Sequence, residues 1–140
     1  MNFDLLRLLR ILRPATGDVL RFDGHAFTNT PVPAALTVFE TATIASGAIT
    51  IASSTALVVH LTIDTQSAAA SDDLDTLSGG ADGQLAVLSA TDNARTVVVK
   101  DTTGNLRTAG DFSLNHSRDT ITLIRNASVW YELARADNEA

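Results

Sequence analysis

The chain contains no cysteine, so it has neither disulfide bonds nor thiolate ligands for a metal ion. Aromatic residues make up only 5% of the sequence, although hydrophobic residues as a whole make up 45%. Small and β-branched residues therefore carry much of the apolar surface. Such residues suit repetitive β packing better than a deep ligand pocket, which usually has aromatic walls.

Positive charge is also scarce. Lys100 is the only lysine, and the formal net charge is -6 with an isoelectric point of about 4.8. Nucleic-acid binding needs clustered lysines and arginines that contact phosphates. The charge balance therefore argues against a nucleic-acid partner.

Long apolar runs are missing as well. Charged residues interrupt the N-terminal segment MNFDLLRLLRILRP at every third position, whereas the apolar region of a signal sequence is continuous. No stretch of the chain is long enough to cross a bilayer as a helix. We therefore expect neither a signal sequence nor membrane insertion.

The same segment predicts an amphipathic helix over residues 3–13, which Pro14 ends because proline has no N–H to donate. A helix this short is marginal alone in water, and this one presents a wide apolar face. It therefore needs a partner, which is its own domain, identical helices of an oligomer, a larger assembly or a membrane surface. We assign docking or oligomer contacts to apolar residues of this helix, namely Phe3, Leu5, Leu8, Leu9 and Leu12.

Residues 17–30 predict a β-hairpin, since Asp23-Gly24 is a strong two-residue turn signal between apolar segments. Pro31-Val32-Pro33 follows as an extended linker. The sequence thus divides into an N-terminal anchor or docking segment, residues 1–33, and a main domain, residues 34–140.

The main domain consists of short alternating segments that are separated by turns rich in Gly, Asp and Asn. Residues 57–63, LVVHLTI, have the pattern of a half-buried strand. Further strands are predicted at residues 84–89, 96–100, 105–108, 120–125 and 128–134. The spacing of these segments predicts an all-β fold, an antiparallel β-sandwich or jelly roll, in which only residues 72–77 could add a short helix or a turn. Alternation also places Trp130 and Tyr131 on opposite faces of the last strand, one in the core and the other at the surface or an interface.

Few residues suggest chemistry. The three histidines lie in different segments without the spacing of metal ligands, and no serine-hydrolase, zinc-protease or phosphate-loop motif is present. A pair of carboxylates for glycoside cleavage stays open, because any two acidic residues could meet in the fold. We predict no enzymatic activity and no cofactor. One acidic, glycine-rich stretch either binds a cation such as calcium or caps and shapes turns, and its acidic residues are Asp72, Asp73, Asp75 and Asp82.

Several motifs in residues 72–138 follow one another in a recognisable order. They are Gly79-Gly80-Ala81-Asp82-Gly83-Gln84, the segment Arg95–Asp101, Gly104-Asn105-Leu106, Gly110-Asp111-Phe112 with Leu114, and Asp119–Ile124 followed by Trp130 and Glu132. In this order they resemble the C-terminal module of bacteriophage and gene-transfer-agent fibre or spike proteins. Two features depart from that pattern. Asn126-Ala127-Ser128 stands where a glycine turn is expected, and the chain is too short for a long tail fibre.

The resemblance implies a homotrimeric structural protein of the virion, which is a head or tail fibre, a spike or a capsid decoration component. Its N-terminal segment would then dock on other virion proteins of the capsid, vertex or tail. Such a protein could also contribute to host attachment by binding a surface glycan, with Tyr131 as a receptor-binding or interface aromatic. The alternative hypothesis is a carbohydrate-binding module that recognises a receptor.

Overall fold

The computed structural model describes residues 18–22, 27–31 and 36–138. The chain divides into two compact units, Met1–Ala34 and Ala35–Ala140. In the first unit, strand β1 (Asp18–Phe22) pairs antiparallel with β2 (Phe27–Pro31), which confirms the predicted hairpin. The predicted helix over residues 3–13 and the Asp23-Gly24 turn lie outside the described residues.

Short strands form nearly all the regular structure of the second unit. They are β3 (Thr37–Thr43), β4 (Ala48–Ile51), β5 (Val58–Asp64), β6 (Ser71–Leu74), β7 (Thr76–Gly79), β8 (Leu85–Ala90), β9 (Thr96–Val99), β10 (Leu106–Arg107), β11 (Phe112–Leu114), β12 (Thr120–Asn126) and β13 (Val129–Ala136). A short 3₁₀ helix spans Gln66–Ala68. Between residues 36 and 138 there is no α-helix.

Successive passes of the chain pair in parallel rather than as hairpins. β3 pairs with β5 and β5 with β8, while β4 pairs with β7 and β6 with β9. Parallel strands need a crossover connection, and here each crossover is one coil of the chain that carries further short strands. The unit is therefore a parallel β-solenoid of about four turns.

The last turn of the solenoid runs in the opposite direction. β11 pairs antiparallel with β9, and β12 pairs antiparallel with β8. β12 then turns back into β13, whose first residues pair in parallel with β10. The resulting large sheet has the order β10-β13-β12-β8-β5-β3. The reversed turn thus occupies the edges of β8 and β9 that a further parallel turn would use.

The predicted antiparallel sandwich or jelly roll is wrong, although the all-β class is confirmed. Both architectures are built from short alternating strands and corners that contain glycine or aspartate, so local sequence does not separate them. The pairing partners lie one full turn apart at unequal offsets, since Thr37 pairs with Val58 whereas Val58 pairs with Leu85. Residues 72–77, for which a short helix or a turn was predicted, belong mainly to strands β6 and β7.

One hydrophobic core fills the solenoid. Alternate residues of β5, among them Val59 and Leu61, are fully buried, and β8 and β12 bury alternate residues in the same way. Trp130 is fully buried, and its indole Nε1 donates a hydrogen bond to the Leu77 carbonyl oxygen at 2.9 Å. Tyr131 is exposed, so the prediction that one of these two aromatics is core and the other surface is confirmed.

Two side-chain amides connect successive turns at the corners. Gln84 is buried, and its Nε2 donates hydrogen bonds to the carbonyl oxygens of Ser53 at 2.8 Å and Ala56 at 2.7 Å. The Leu77 N–H donates to Asn105 Oδ1, and Asn105 Nδ2 donates to the Leu77 carbonyl oxygen, both at 2.9 Å. These amides supply hydrogen bonds where the strand ladders are interrupted.

Candidate functional site: the outer face of the large sheet

The large sheet presents a broad face that points away from the core. Side chains alternate along a strand, so the residues between the buried ones point outward, and the strand register aligns them in rows. The first row is Thr37, Val58, Leu85, Ile124 and Tyr131, the second is Phe39, His60, Val87, Thr122 and Ala134, and the third is Thr41, Thr62 and Ser89 with Thr120 and Ala136. We call these rows, together with Leu133, the outer face.

The outer face is uncharged, and its large apolar side chains lie among five threonines, His60 and the buried Ser89. Phe39 is 78% exposed and Leu133, the extra residue of a β-bulge opposite Thr122, is 58% exposed. None of the residues of these rows is Asp, Glu, Lys or Arg, although charged residues form 19% of the chain. Charge appears only at the borders of the outer face. There Arg107 on β10 pairs with Tyr131 on β13, and Asp64 is the last residue of β5. Large apolar side chains that cluster on a surface are typical of an interaction site.

His60 lies on the outer face between two neighbours. Its ring centroid is 5.4 Å from that of Phe39, with the planes tilted by 55°. Its Nε2 atom lies 3.1 Å from Ser89 Oγ on the next strand. The histidine therefore links β3, β5 and β8 across the surface of the sheet and supports one side of the exposed Phe39 ring.

A shallow cleft of about 200 Å³ lies where β3 and β5 end. It is lined by Thr41, Ala42, Thr43, Asp64 and Thr91. The Asp64 carboxylate is paired with Arg95 Nε at 3.1 Å. Hydroxyl groups, a carboxylate and the ring of Phe39, two residues before Thr41, thus lie along one short stretch of the sheet.

Two of the four acidic residues that were considered as cation ligands are hydrogen-bonded to other groups. Asp82 Oδ1 accepts a hydrogen bond from Arg125 Nη1 at 2.6 Å, and Asp72 Oδ2 accepts one from the Gln66 N–H at 2.7 Å. Within the ranges that the structure describes, no group of three or more His, Cys, Asp or Glu residues is placed to hold a metal ion. Asp72 thus caps a turn, and Asp82 forms an ion pair with Arg125.

Lys100 and Asp111 form an ion pair on the surface near Asp73 and Asp75, the other two residues that were considered as cation ligands. The Asp111 carboxylate accepts a hydrogen bond from Lys100 and raises the pKa of that lysine, with weaker contributions from Asp73 and Asp75. In turn Lys100, and after it the Asp101 N–H, hold the pKa of Asp111 below its ordinary value. The pair connects the end of β9 to the start of β11.

Glu132 on β13 binds both a cation and a backbone N–H. Arg135 Nε donates to Glu132 Oε1 at 2.6 Å, and the Ala109 N–H donates to Oε2 at 2.7 Å. The hydrogen-bonded guanidinium of Arg135 is the main reason that the pKa of Glu132 lies below its ordinary value, despite partial burial. Glu132 therefore fastens β13 to the segment between β10 and β11.

The structure locates only part of the predicted site. The predicted docking residues lie outside the described residues and are Phe3, Leu5, Leu8, Leu9 and Leu12. Tyr131 lies on the outer face, and its role as a receptor or interface aromatic stays a prediction. The sequence analysis missed Phe39 and Leu133. The sequence did contain a signal for an apolar outer surface. Consecutive apolar residues, as in residues 85–88, LAVL, place apolar side chains on both faces of a strand.

Comparison with protein-family models, with curated proteins and with solved structures finds no match to this chain. In the described part of the chain, no helix combines the length and apolar character that a membrane span requires. Function is therefore inferred from the residues and the fold.

Proposed function

We propose that the chain is a non-enzymatic structural protein of a bacteriophage-like virion, a head or tail fibre, spike or decoration component that attaches through its N-terminal segment. The observation that carries this proposal is the polarity of the solenoid. One end is closed by a reversed turn whose edge strands, β10 and β11, have only two and three residues, whereas the other end has the seven-residue edge strand β3 among the described residues. The order of the motifs between Gly79 and Glu132, which resembles fibre and spike modules, supports the same function.

The C-terminal end of the solenoid is a finished surface. β11 and β12 run antiparallel to β9 and β8 and occupy the edges that a further parallel turn would use. The edge strands that remain at this end, β10 and β11, are only two and three residues long. A solenoid needs such an atypical terminal turn to protect its last edge from further pairing. This end therefore suits the distal, solvent-facing part of an attached module.

The N-terminal end has the opposite character. Among the described residues β3 pairs only with β5, so its other edge has backbone groups without partners in the sheet. The inward side chains of β3 are only half-buried, for example Val38, whereas the paired Val59 of β5 is fully buried. An exposed edge strand is a ready contact for another chain. Because the second unit begins at Ala35, directly before β3, the N-terminal segment is covalently connected to the solenoid at this end.

Deletion of residues 1–13 tests the attachment. We expect the shortened protein to keep its β-sheet circular dichroism and its cooperative unfolding, but to be absent from purified particles in which mass spectrometry detects the full chain. A double variant, Leu5→Asp with Leu9→Asp, should behave like the deletion. The matched control, Arg7→Ala with Arg10→Ala, changes the polar stripe of the predicted helix and should still be incorporated.

Two results would count against the proposal. Absence of the full chain from particles of the producing culture would refute the virion function. Equal incorporation of the shortened and full chains would refute docking through the N-terminal segment.

The cleft beside Phe39 favours a second candidate, a carbohydrate-binding module that recognises a host receptor. Threonine hydroxyls and the Asp64 carboxylate could bind sugar hydroxyl groups while the exposed ring supports a sugar face. A glycan array separates this candidate from a purely structural role, since binding that is lost in Phe39→Ala would favour it.

A further inference from the structure

We propose that the outer face of the large sheet is the surface through which copies of this chain associate, so that its occupant is a second copy of the chain. This inference rests on the proposed function and on the homotrimer that the resemblance to fibre and spike modules implies, and it assigns the contact to one set of residues. The size of the face, its charge and its side chains each support the assignment.

The size of the outer face suits a specific interface. Five strands about 4.8 Å apart and three rows about 7 Å apart cover roughly 500 Å². Monomeric proteins rarely expose apolar patches larger than a few hundred Å², and a standard interface takes about 800 Å² from each partner. The outer face thus supplies more than half of the area that one partner contributes to such an interface.

The charge distribution favours another copy of the same chain. With a net charge of -6, two copies repel each other over most of their surfaces. The outer face has no charged residue, so two such faces can meet without burying an unpaired charge. A partner selected by charge would need charged groups on this face, and there are none.

The side chains of the outer face also permit close contact between sheets. Sheets that pack face to face lie about 10 Å apart and interdigitate their side chains. Here valine and threonine at the centre, such as Val87 and Thr122, are flanked by the larger Phe39, Tyr131 and Leu133. Burial of these flanking groups removes apolar surface from water, which is the main driving force of association.

Single charges placed on the face provide the test. The native mass of the full chain is measured by light scattering after size exclusion, over a range of concentrations, for the wild type and for Leu133→Asp and Val87→Asp. We expect a wild-type mass that is a multiple of 14.8 kDa. The variants should need a concentration more than about 30-fold higher for half-assembly, the effect of an interface hot spot. Thr50→Asp, an equal charge change at an exposed position on β4, should assemble like the wild type.

The outcomes separate this inference from the proposed function. Leu133 is exposed, so Leu133→Asp should keep the fold, which circular dichroism checks, and its result decides the matter if Val87→Asp fails to fold. A wild type that stays monomeric at every concentration overturns the inference and leaves the face to another protein or another part of the chain. An oligomer that Leu133→Asp does not weaken overturns it as well. Neither result bears on whether the chain occurs in particles, which mass spectrometry measures independently.

Discussion

Gly80 and Asp119, which belong to the turn motifs of the sequence, have structural roles at the corners of the solenoid. Gly80 has a φ of +74° and lies against the buried Trp130. Asp119 is fully buried and accepts hydrogen bonds from the backbone N–H groups of His116 and Asn138, both at 2.8 Å. These residues satisfy backbone groups and allow sharp corners, so they help to specify the fold.

Gly80 and Gly83, which lie in the segment Gly79–Gln84, allow a matched comparison of two alanine substitutions. A Cβ at Gly80 would lie 2.6 Å from Gln84 Oε1 and 2.9 Å from a ring carbon of Trp130, whereas a Cβ at Gly83, with a φ of +87°, would meet nothing within 4 Å. We expect Gly83→Ala to cost about 1–2 kcal/mol, because a left-handed conformation is unfavourable for alanine. Gly80→Ala should reduce the free energy of unfolding by about 1–3 kcal/mol more than Gly83→Ala does, because it also overpacks the core.

Urea unfolding, followed by the fluorescence of the single tryptophan, measures both glycine variants under identical conditions. The control is Gly83→Ala itself, since it shares the backbone strain and lacks the collision. Equal losses of stability in the two variants would show that Trp130 moves aside and that the corner is not tightly packed.

Individual strands were largely predictable from the sequence, and their pairing was not. The predicted strands at 84–89 and 120–125 correspond to β8 and β12, because alternation and turn residues are local signals. Parallel pairing depends on contacts one turn away, and the unequal turns leave no fixed repeat to detect. The outer face was missed for the same reason, since Phe39 and Leu133 come together with the other rows only through that pairing.

At the level of elements, Glu132 predicts an acid-sensitive attachment of β13. Its pKa is lowered in the folded state, so its contribution to stability is complete above the unfolded-state pKa of about 4.3 and is lost as the pH falls through the folded-state value. We expect the melting temperature of Glu132→Gln to be lower than that of the wild type at pH 6. The difference should shrink as the pH is lowered towards 3.

Melting curves by circular dichroism between pH 3 and pH 6 check this expectation. Asp82→Asn, which removes one negative charge from an exposed ion pair with Arg125, controls for the change in net charge. A difference between Glu132→Gln and the wild type that stays constant across this range would contradict the role given to the Arg135 and Ala109 hydrogen bonds.

At the level of the whole molecule, the solenoid is asymmetric from one end to the other. The inward residues of β3 are half-buried, and only β5 pairs with this strand among the described residues. Even so, the end is partly tied down by Glu40, which accepts hydrogen bonds from the backbone N–H groups of Ala52 at 3.0 Å and Ser53 at 2.8 Å. Partial burial raises the pKa of Glu40, but hydrogen bonds from Ser53 and Ala52 outweigh this effect and hold the pKa below its ordinary value.

This asymmetry predicts a gradient of local stability along the large sheet. A solenoid is stabilised mainly by contacts between neighbouring turns, and a terminal turn has a neighbour on one side only. Backbone amides of β3 should therefore exchange with solvent first, those of β5, which pairs with this edge strand, later, and those of β8 and β12 last, because the neighbours of these two strands are themselves paired on both edges. Hydrogen exchange followed by mass spectrometry or NMR measures this order on the full chain. Exchange of β12 before β3 would mean that the reversed turn opens more readily than the free edge, and the closed end would then not be the stable end of the solenoid.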